Sequence, residues 1–309
     1  MRRSSVLATA RGTRPEAFGP VEWGLLAAVA TMWGSSFVFI AEGLEAFRPG
    51  LVALLRLALG AAALSLAPPV RRRIPREDWP RIVLLALVWM AIPLLLFPIA
   101  QDLGVASSVA GMINGGMPLF AALFAWFLLR RPPGPRQAVG LILGFAGVVL
   151  VTFPEIRGAT STAIGALLAL VATALYGLAA NVTVPLQQRH GALPVIFRAQ
   201  LVALVIVLPF GIAGIPGSQF AWSSALAMLA LGVFGTGLAF IAMAVLVGRA
   251  GATRGAVAIY FIPVVALVLG VAVRGESVEP LSLVGVALIL VGAILTSRRE
   301  AAREMPASA

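Results

Sequence analysis

Two asparagines lie inside runs of apolar residues that are long enough to cross a membrane, Asn114 and Asn181. An amide that lacks a hydrogen-bond partner in hydrocarbon is strongly unfavourable, so each side chain should face another helix or a water-filled cavity. Both alternatives stay open from sequence alone. The first is an interhelical hydrogen bond, and the second is a contact to a ligand held within the membrane.

Aromatic residues also lie near the middle of apolar runs, whereas Trp and Tyr usually collect at the two membrane interfaces. Trp33, Phe37, Tyr176 and Tyr260 are the examples, and Ser35 lies between the first two. A ring that faces inward can stack on a planar ligand, whereas a ring that faces lipid has no such role. The predicted binding site for a small molecule comprises Trp33, Ser35, Phe37, Asn114, Tyr176, Asn181 and Tyr260.

Two arginines and two prolines recur inside the apolar runs at nearly constant spacing. Arg56 and Arg198 are separated by 142 positions, and Pro118 and Pro263 by 145. A guanidinium inside a membrane costs about 2.5–3.5 kcal/mol unless it is paired. Each arginine therefore either binds backbone carbonyls or attracts a substrate carboxylate, and we favour the first role. The prolines free a carbonyl and kink a helix, which predicts a hinge or a cavity wall.

The residue types needed for catalysis are missing from these runs. The chain has no cysteine and one histidine, His190, which falls in a predicted loop. The acidic residues lie at the ends of apolar runs, so we expect no metal cluster, no activated nucleophile and no cofactor. The sequence thus predicts binding without an enzymatic reaction. It also gives little support for a proton relay, which usually needs a buried acid or histidine.

The elements that carry these residues are membrane-spanning helices. The chain is 60% apolar and 11% charged, with a mean hydropathy of +1.01, which excludes an ordinary soluble domain. Continuous apolar runs without alternation predict an all-α integral membrane protein rather than a barrel. Ten spans are predicted near residues 21–41, 50–67, 80–100, 105–129, 136–153, 163–183, 193–214, 221–247, 252–273 and 280–297.

The ten predicted spans fall into two units of five, residues 21–153 and 163–297. In the last span of each unit one pattern recurs after 145 positions, with Pro135, Gly140 and Gly147 matching Pro280, Gly285 and Gly292. A unit of five spans crosses the membrane an odd number of times, so its second copy must be inverted. Inverted repeats are typical of secondary transporters.

The arginines predict the orientation of the chain. Eighteen of the 23 basic residues fall on one side of the predicted spans, three on the other, and Arg56 and Arg198 within spans. Positive residues collect in the cytoplasm, so residues 1–20 and 298–309 should be cytoplasmic tails. The same rule explains the net charge of +11 without a nucleic-acid partner. All basic residues are arginine, which suggests a GC-rich bacterial source.

These features together resemble the drug/metabolite transporter superfamily, in its EamA-type branch. The resemblance extends from Val21 to Ser297. It rests on the layout of two times five spans and on the repeated Pro-x4-Gly-x6-Gly. Three further features contribute, namely the run Trp33-Gly34-Ser35-Ser36-Phe37, Arg56, and the fourth span up to Pro118. Similar proteins include bacterial exporters of amino acids, aromatic ones among them. The resemblance implies a central cavity opened alternately to each side, with Trp33, Asn114 and Tyr260 near it.

We therefore expect a multi-pass transporter of the bacterial inner membrane that exports amino acids or similar small metabolites by facilitated diffusion or exchange. Its partners would be the lipid bilayer and a small-molecule substrate, and a monomer is compatible with this arrangement. One alternative is an exporter of cationic drugs, which the lack of a mid-membrane acid disfavours. Another is a scaffold or receptor without transport, which leaves the repeated polar residues unexplained.

Overall fold

The computed structural model describes residues 19–129, 133–250 and 257–297, and within these ranges it contains helices and connections but no β-strand. Eight helical segments are long and apolar enough to cross a membrane, and two more are shorter. The segments are α1 (Pro20–Leu44), α2 (Pro49–Ser65), α3 (Arg76–Asp102), α4 (Ser107–Leu128), α5 (Pro135–Arg157), α6 (Thr160–His190), α7 (Ala192–Gly217), α8 (Trp222–Ala250), α9 (Val257–Arg274) and α10 (Pro280–Thr296).

The all-helical membrane class predicted from composition is confirmed. The longest segment, α6, runs about two turns beyond its predicted end at residue 183. The predicted tails lie outside the described residues, apart from Gly19 and Pro20. The number of membrane crossings, the inverted repeat and the orientation stay predictions.

Proline begins several of these helices. Pro20, Pro49, Pro135 and Pro280 each occupy the first helical position of α1, α2, α5 and α10. Proline suits this position because its missing N–H has no partner in the first turn and its φ is already helical. The proline of the repeated motif therefore marks the start of the last helix in each predicted unit.

The glycines of the same motif hold α5 against α10. A Cβ atom added to Gly140 would lie 2.8 Å from the Gly292 carbonyl oxygen, and one on Gly285 would lie 2.7 Å from that of Gly147. Because Gly140 meets Gly292 while Gly147 meets Gly285, the two helices run antiparallel. Their backbones approach as closely as only glycine allows.

Four segments depart from regular α-helix in their middle, and one of them is α1, which has a turn at Ser35. Wide π-helical turns occupy Ala86–Ala91 in α3 and Val233–Leu238 in α8, and these stretches lie 147 positions apart. Such turns are rare and often occur at functional sites. Segment α4 breaks at Gly115 and Gly116 and resumes at Met117.

The two prolines predicted as hinges lie beside the break in α4. Pro118 is the second residue of the helix that follows the break, where its missing N–H is not needed. Pro263 lies inside α9, and a Cβ on Gly115 would be 3.0 Å from its Cγ. The irregular point of α4 thus packs on the proline of α9.

Candidate functional site

A cavity of about 260 Å³ lies among the helices. Its wall is formed by α1, α2, α3, α4, α6, α7, α8 and α9, whereas α5 and α10 contribute none of the described lining residues. The cavity therefore lies between residues 21–153 and residues 163–297, and both parts of the chain supply its wall.

Six aromatic rings on the cavity wall form two clusters. In the first, Phe240 makes edge contacts with Trp33 and Trp89 at ring-centre distances of 5.7 and 5.2 Å. In the second, Phe97 lies 5.3 Å from Phe37 and 5.9 Å from Tyr176. Each cluster joins rings from α1 and α3 to a ring from α6 or α8. The wall is therefore mostly apolar and aromatic, which suits a ligand with an apolar or aromatic side chain.

One charged side chain is found among the described lining residues, that of Arg56. It is 9% exposed, and its Nε donates a hydrogen bond of 3.1 Å to the Thr236 hydroxyl oxygen. That hydroxyl itself donates to the Leu231 carbonyl at 3.2 Å, five residues earlier, because the π-helical turn of α8 places the two side by side. The arginine is thus held by a hydroxyl whose orientation the turn fixes.

Thr236 is the most buried polar residue among the described lining residues, and Ser36 and Asn114 come next. Asn114 is 6% exposed, and its Oδ1 accepts no hydrogen bond from any described residue. The Ser36 hydroxyl donates to the Met32 carbonyl at 2.9 Å. Arg56 and Asn114 each lie about two helical turns from the start of their segments, so both are at a similar depth.

Four residues of the predicted binding site line the cavity, namely Trp33, Phe37, Asn114 and Tyr176. The other three, Ser35, Asn181 and Tyr260, are not among the lining residues. Asn181 donates to the Ala121 carbonyl at 3.0 Å, which ties α6 to α4.

The remaining two make local or interhelical contacts. The Tyr260 hydroxyl donates to the Ala293 carbonyl at 3.3 Å and so links α9 to α10. The Ser35 hydroxyl donates to the Met32 carbonyl in its own helix at 3.3 Å. Ser36, three residues after Trp33, shares the helix face of that ring, whereas Ser35 does not.

The two repeated arginines have different surroundings. Arg198 is only partly buried, and its Nη atoms donate to the backbone carbonyls of Val70 and Arg72 in the connection between α2 and α3. These bonds are of the kind that the role favoured from the sequence requires, and the role itself stays a prediction. Arg56 instead faces the cavity.

The cavity is closed at one end of the helices and open at the other. Phe37 and Phe97 form its closed end and are 5% and 1% exposed. In the other direction α6 and α8 continue the wall to Gln187 and Val247, near their last residues, and Val184 on this path is 37% exposed. We call these the closed end and the open end.

Beyond the closed end, polar contacts join the two predicted units. Arg274 forms ion pairs with Glu42 and Glu45, the second at 2.8 Å. The Glu276 carboxylate accepts hydrogen bonds from the backbone N–H groups of Ser107 and Ser108 at 2.9 and 2.8 Å, and from the Ser107 hydroxyl at 2.7 Å. Burial alone would raise the pKa of Glu276, but these bonds hold the pKa below its ordinary value.

Ion pairs also join the units beside the open end. The Arg249 Nε lies 2.7 Å from the Glu22 carboxylate. Asp78, at the start of α3, lies 2.7 Å from the His190 Nε2 and 3.2 Å from an Arg189 nitrogen at the end of α6. The histidine that the sequence places in a loop is therefore part of a contact between the units.

Sequence reasoning missed several wall residues. Trp89, Phe97 and Phe240 are large rings inside apolar spans, and Thr236 is a polar residue there, so the signal used for the other residues applied to them as well. Equal spacing was a second signal, because several pairs of lining residues are separated by 143–147 positions. Examples are Trp33 with Tyr176, Trp89 with Thr236, Asn114 with Ile259, and Met117 with Ile262.

Comparison with known proteins gives consistent relatives. The chain is 30% identical over 291 residues to a protein of Streptantibioticus cattleyicolor named as a probable terminal-alkyne amino-acid exporter, covering 93% of this chain and 96% of that protein. It is 24% identical to the inner membrane transporter YedA of Escherichia coli strain K12, covering 89% and 90%. A crystal structure with 20% identity shares its fold, with a TM-score of 0.62 over 89% of this chain and 95% of that one.

The model of the EamA-like transporter family matches the chain twice, at residues 22–153 and at residues 163–298. Together these matches cover most of the sequence. The resemblance drawn from the spans and motifs is thereby confirmed. The chain belongs to the EamA-like transporter family and is a membrane transporter rather than an enzyme.

Proposed function

We propose that this protein exports amino acids or similar small amphipathic metabolites across the bacterial inner membrane by alternating access through the central cavity. The observation that carries this proposal is the cavity itself, aromatic on its walls, with Arg56 and Asn114 near its closed end. A volume of about 260 Å³ suits a small metabolite. The name of the Streptantibioticus cattleyicolor relative points to the same class of substrate.

Alternating access requires a structure that can close at either end, and an inverted repeat provides it. Several observations support such a repeat. The π-helical turns recur after 147 positions, and the family model matches two successive stretches. The contacts of Gly140 with Gly292 and of Gly147 with Gly285 are exchanged by a twofold axis, as in an isologous interface.

A further pair of contacts follows the same relation. A Cβ on Gly34 of α1 would meet Val265 of α9, and one on Gly177 of α6 would meet Phe120 of α4. The glycines are 143 positions apart and their partners 145, so one contact is the counterpart of the other. With ten crossings and both termini in the cytoplasm, the open end of the cavity faces the cytoplasm.

Facilitated diffusion or exchange is the energetic mode that the site supports. The described lining residues include no Asp, Glu or His, the usual proton carriers, which favours a mode without proton coupling. Because one chain supplies the whole wall, a monomer is sufficient.

Two other functions fit less well. A cationic drug would meet the positive charge of Arg56 and no acidic lining residue among those described, which disfavours binding. A scaffold without transport would leave the open cavity and its buried polar groups unexplained.

Substrate counterflow in liposomes tests the proposal. Purified protein would be reconstituted with a high internal concentration of unlabelled solute, and entry of the labelled solute would be followed for phenylalanine, leucine, propargylglycine and a cationic dye. We expect counterflow of at least one amino acid and none of the dye. Counterflow of the dye alone would indicate a drug exporter, and no counterflow of any solute would leave the scaffold.

A further inference from the structure

The terminal nitrogens of Arg56 have no partner among the described residues. Its hydrogen bond to Thr236 uses Nε alone, and no acidic side chain among the described residues lies within ion-pair distance of it. A guanidinium carries five N–H donors in a planar fork. Because Arg56 lines the cavity while its stem is buried, the unused edge of this fork is the part available to a ligand.

The chemistry that satisfies such an edge is a carboxylate, which accepts two parallel hydrogen bonds from the guanidinium. Two features prepare Arg56 for this role. The Thr236 hydroxyl fixes one side of the fork, and the π-helical turn fixes that hydroxyl in turn. The surrounding wall is apolar and closed nearby by Phe37 and Phe97, which shields the charge from water and strengthens the attraction.

The described lining residues offer no comparable charged group that could bind a substrate ammonium. The described lining residues contain no carboxylate, and the one buried acceptor without a partner on the wall is the neutral Oδ1 of Asn114. A neutral acceptor can bind an ammonium but does not balance its charge. The site is therefore built asymmetrically, with a strong anchor for an anion and a weak one for a cation.

We propose, building on the export function above, that Arg56 binds the substrate carboxylate and that the α-amino group is dispensable. The class of substrate is then small monocarboxylates with an apolar or aromatic side chain, of which amino acids are one subset. The ring clusters around Phe240 and Phe97 contact that side chain. Thr236 acts as a positioning residue for Arg56.

Competition experiments test this assignment. Counterflow of labelled phenylalanine would be measured with three unlabelled competitors: phenylalanine, 3-phenylpropionate, which lacks the amine, and phenylalaninamide, which lacks the carboxylate. If leucine or propargylglycine is carried faster, its own deaminated and amidated analogues are used instead. We expect the two carboxylates to compete within about threefold of each other and the amide to be at least about tenfold weaker, because charge-assisted bonds are lost.

The variant Arg56→Gln should remove this preference, so that acid and amide compete equally. The matched control is Arg198→Gln, because Arg198 is the counterpart of Arg56 outside the cavity, and it should keep the wild-type preference. Thr236→Val should weaken the preference and Thr236→Ser should restore it. If Arg56→Gln fails to fold, the two Thr236 variants decide the question. Their preference for the acid over the amide would then be measured as ligand-induced thermal shifts of the purified protein.

The results separate this inference from the export function. A wild-type protein that carries an amino acid but accepts the amide as readily as the acid overturns the inference and leaves the function standing. An unchanged preference for the acid over the amide in Arg56→Gln also overturns the inference and leaves the function standing. If Arg56→Gln does not fold, an unchanged preference in Thr236→Val has the same meaning. A wild-type protein that carries no amino acid would instead overturn the proposed export of amino acids, on which this inference rests.

Discussion

Glu276 should control access to the cavity from the closed end. It joins the connection after α9 to the first turn of α4 through two backbone N–H groups and one hydroxyl. In Glu276→Gln the amide oxygen can keep the two bonds to Ser107 without the charge, while the amide nitrogen meets the Ser108 N–H donor. The third bond is therefore lost and two donors oppose each other.

The size of the effect follows from these contacts. Hydrogen bonds to charged groups contribute about 1.5–3 kcal/mol each, and the Glu276 side chain is only 13% exposed, so solvent screens it little. We estimate that the conformation closed on its outer side becomes less stable by about 2 kcal/mol. That loss shifts the balance toward an outward-open conformation by about 30-fold.

Labelling of a single cysteine measures this shift. The chain has no native cysteine, so Ala180→Cys places one thiol on the cavity wall. Intact cells would be treated with a membrane-impermeant maleimide. We expect slow labelling in the Ala180→Cys background and labelling up to about 30-fold faster when Glu276→Gln is added.

Glu279 provides the control. It lies in the same connection, is exposed and forms no ion pair with a described residue, so Glu279→Gln should leave the labelling rate unchanged. Equal rates with and without Glu276→Gln would refute the reasoning. So would an increase of the same size in Glu279→Gln.

Three further predictions concern packing, pH and the wall. Gly147→Leu should lower the melting temperature of the purified protein, because overpacking costs about 1–3 kcal/mol or more. Gly24→Leu should leave the melting temperature unchanged, because nothing lies within 4 Å of its added Cβ. Equal melting temperatures of the two variants would contradict the close α5–α10 contact. Because the pKa of Glu276 is lowered on folding, its contact stabilises the protein above the ordinary value of 4.5 and is lost as the pH falls through the lowered pKa. Between about pH 6 and about pH 3 the wild type should thus lose more thermal stability than Glu276→Gln, and parallel curves would count against this. Trp33→Ala and Asn114→Ala should reduce counterflow without reducing expression, and normal rates in both would remove these residues from the site.

Much of the fold could be predicted because a membrane imposes simple rules. Apolar runs of sufficient length have to be helices, and the pattern of proline and glycine in α5 and α10 reflects a helix start and a close backbone contact that each need that residue type. The family followed from the same patterns. The π-helical turn at Val233–Leu238 has no such signature, since a wide turn depends on how neighbouring helices pack.

The site was less predictable than the fold. Depth in a span identified Trp33, Asn114 and Tyr176, but depth does not tell which face of a helix meets the cavity, and Asn181 instead binds a neighbouring helix. The ion pairs at the ends were invisible for another reason. Glu22 and Arg249 are 227 positions apart, and only the packing of α1 against α8 brings them together.

The central claim is that the substrate crosses the membrane through the cavity. Counterflow of labelled phenylalanine, or of whichever amino acid is carried fastest, would be measured for Ala180→Cys before and after alkylation with a bulky maleimide, and for Ile142→Cys, whose position on α5 is 71% exposed. Alkylation should abolish counterflow in the first protein and leave it intact in the second. Undiminished counterflow through fully alkylated Ala180→Cys would contradict the account.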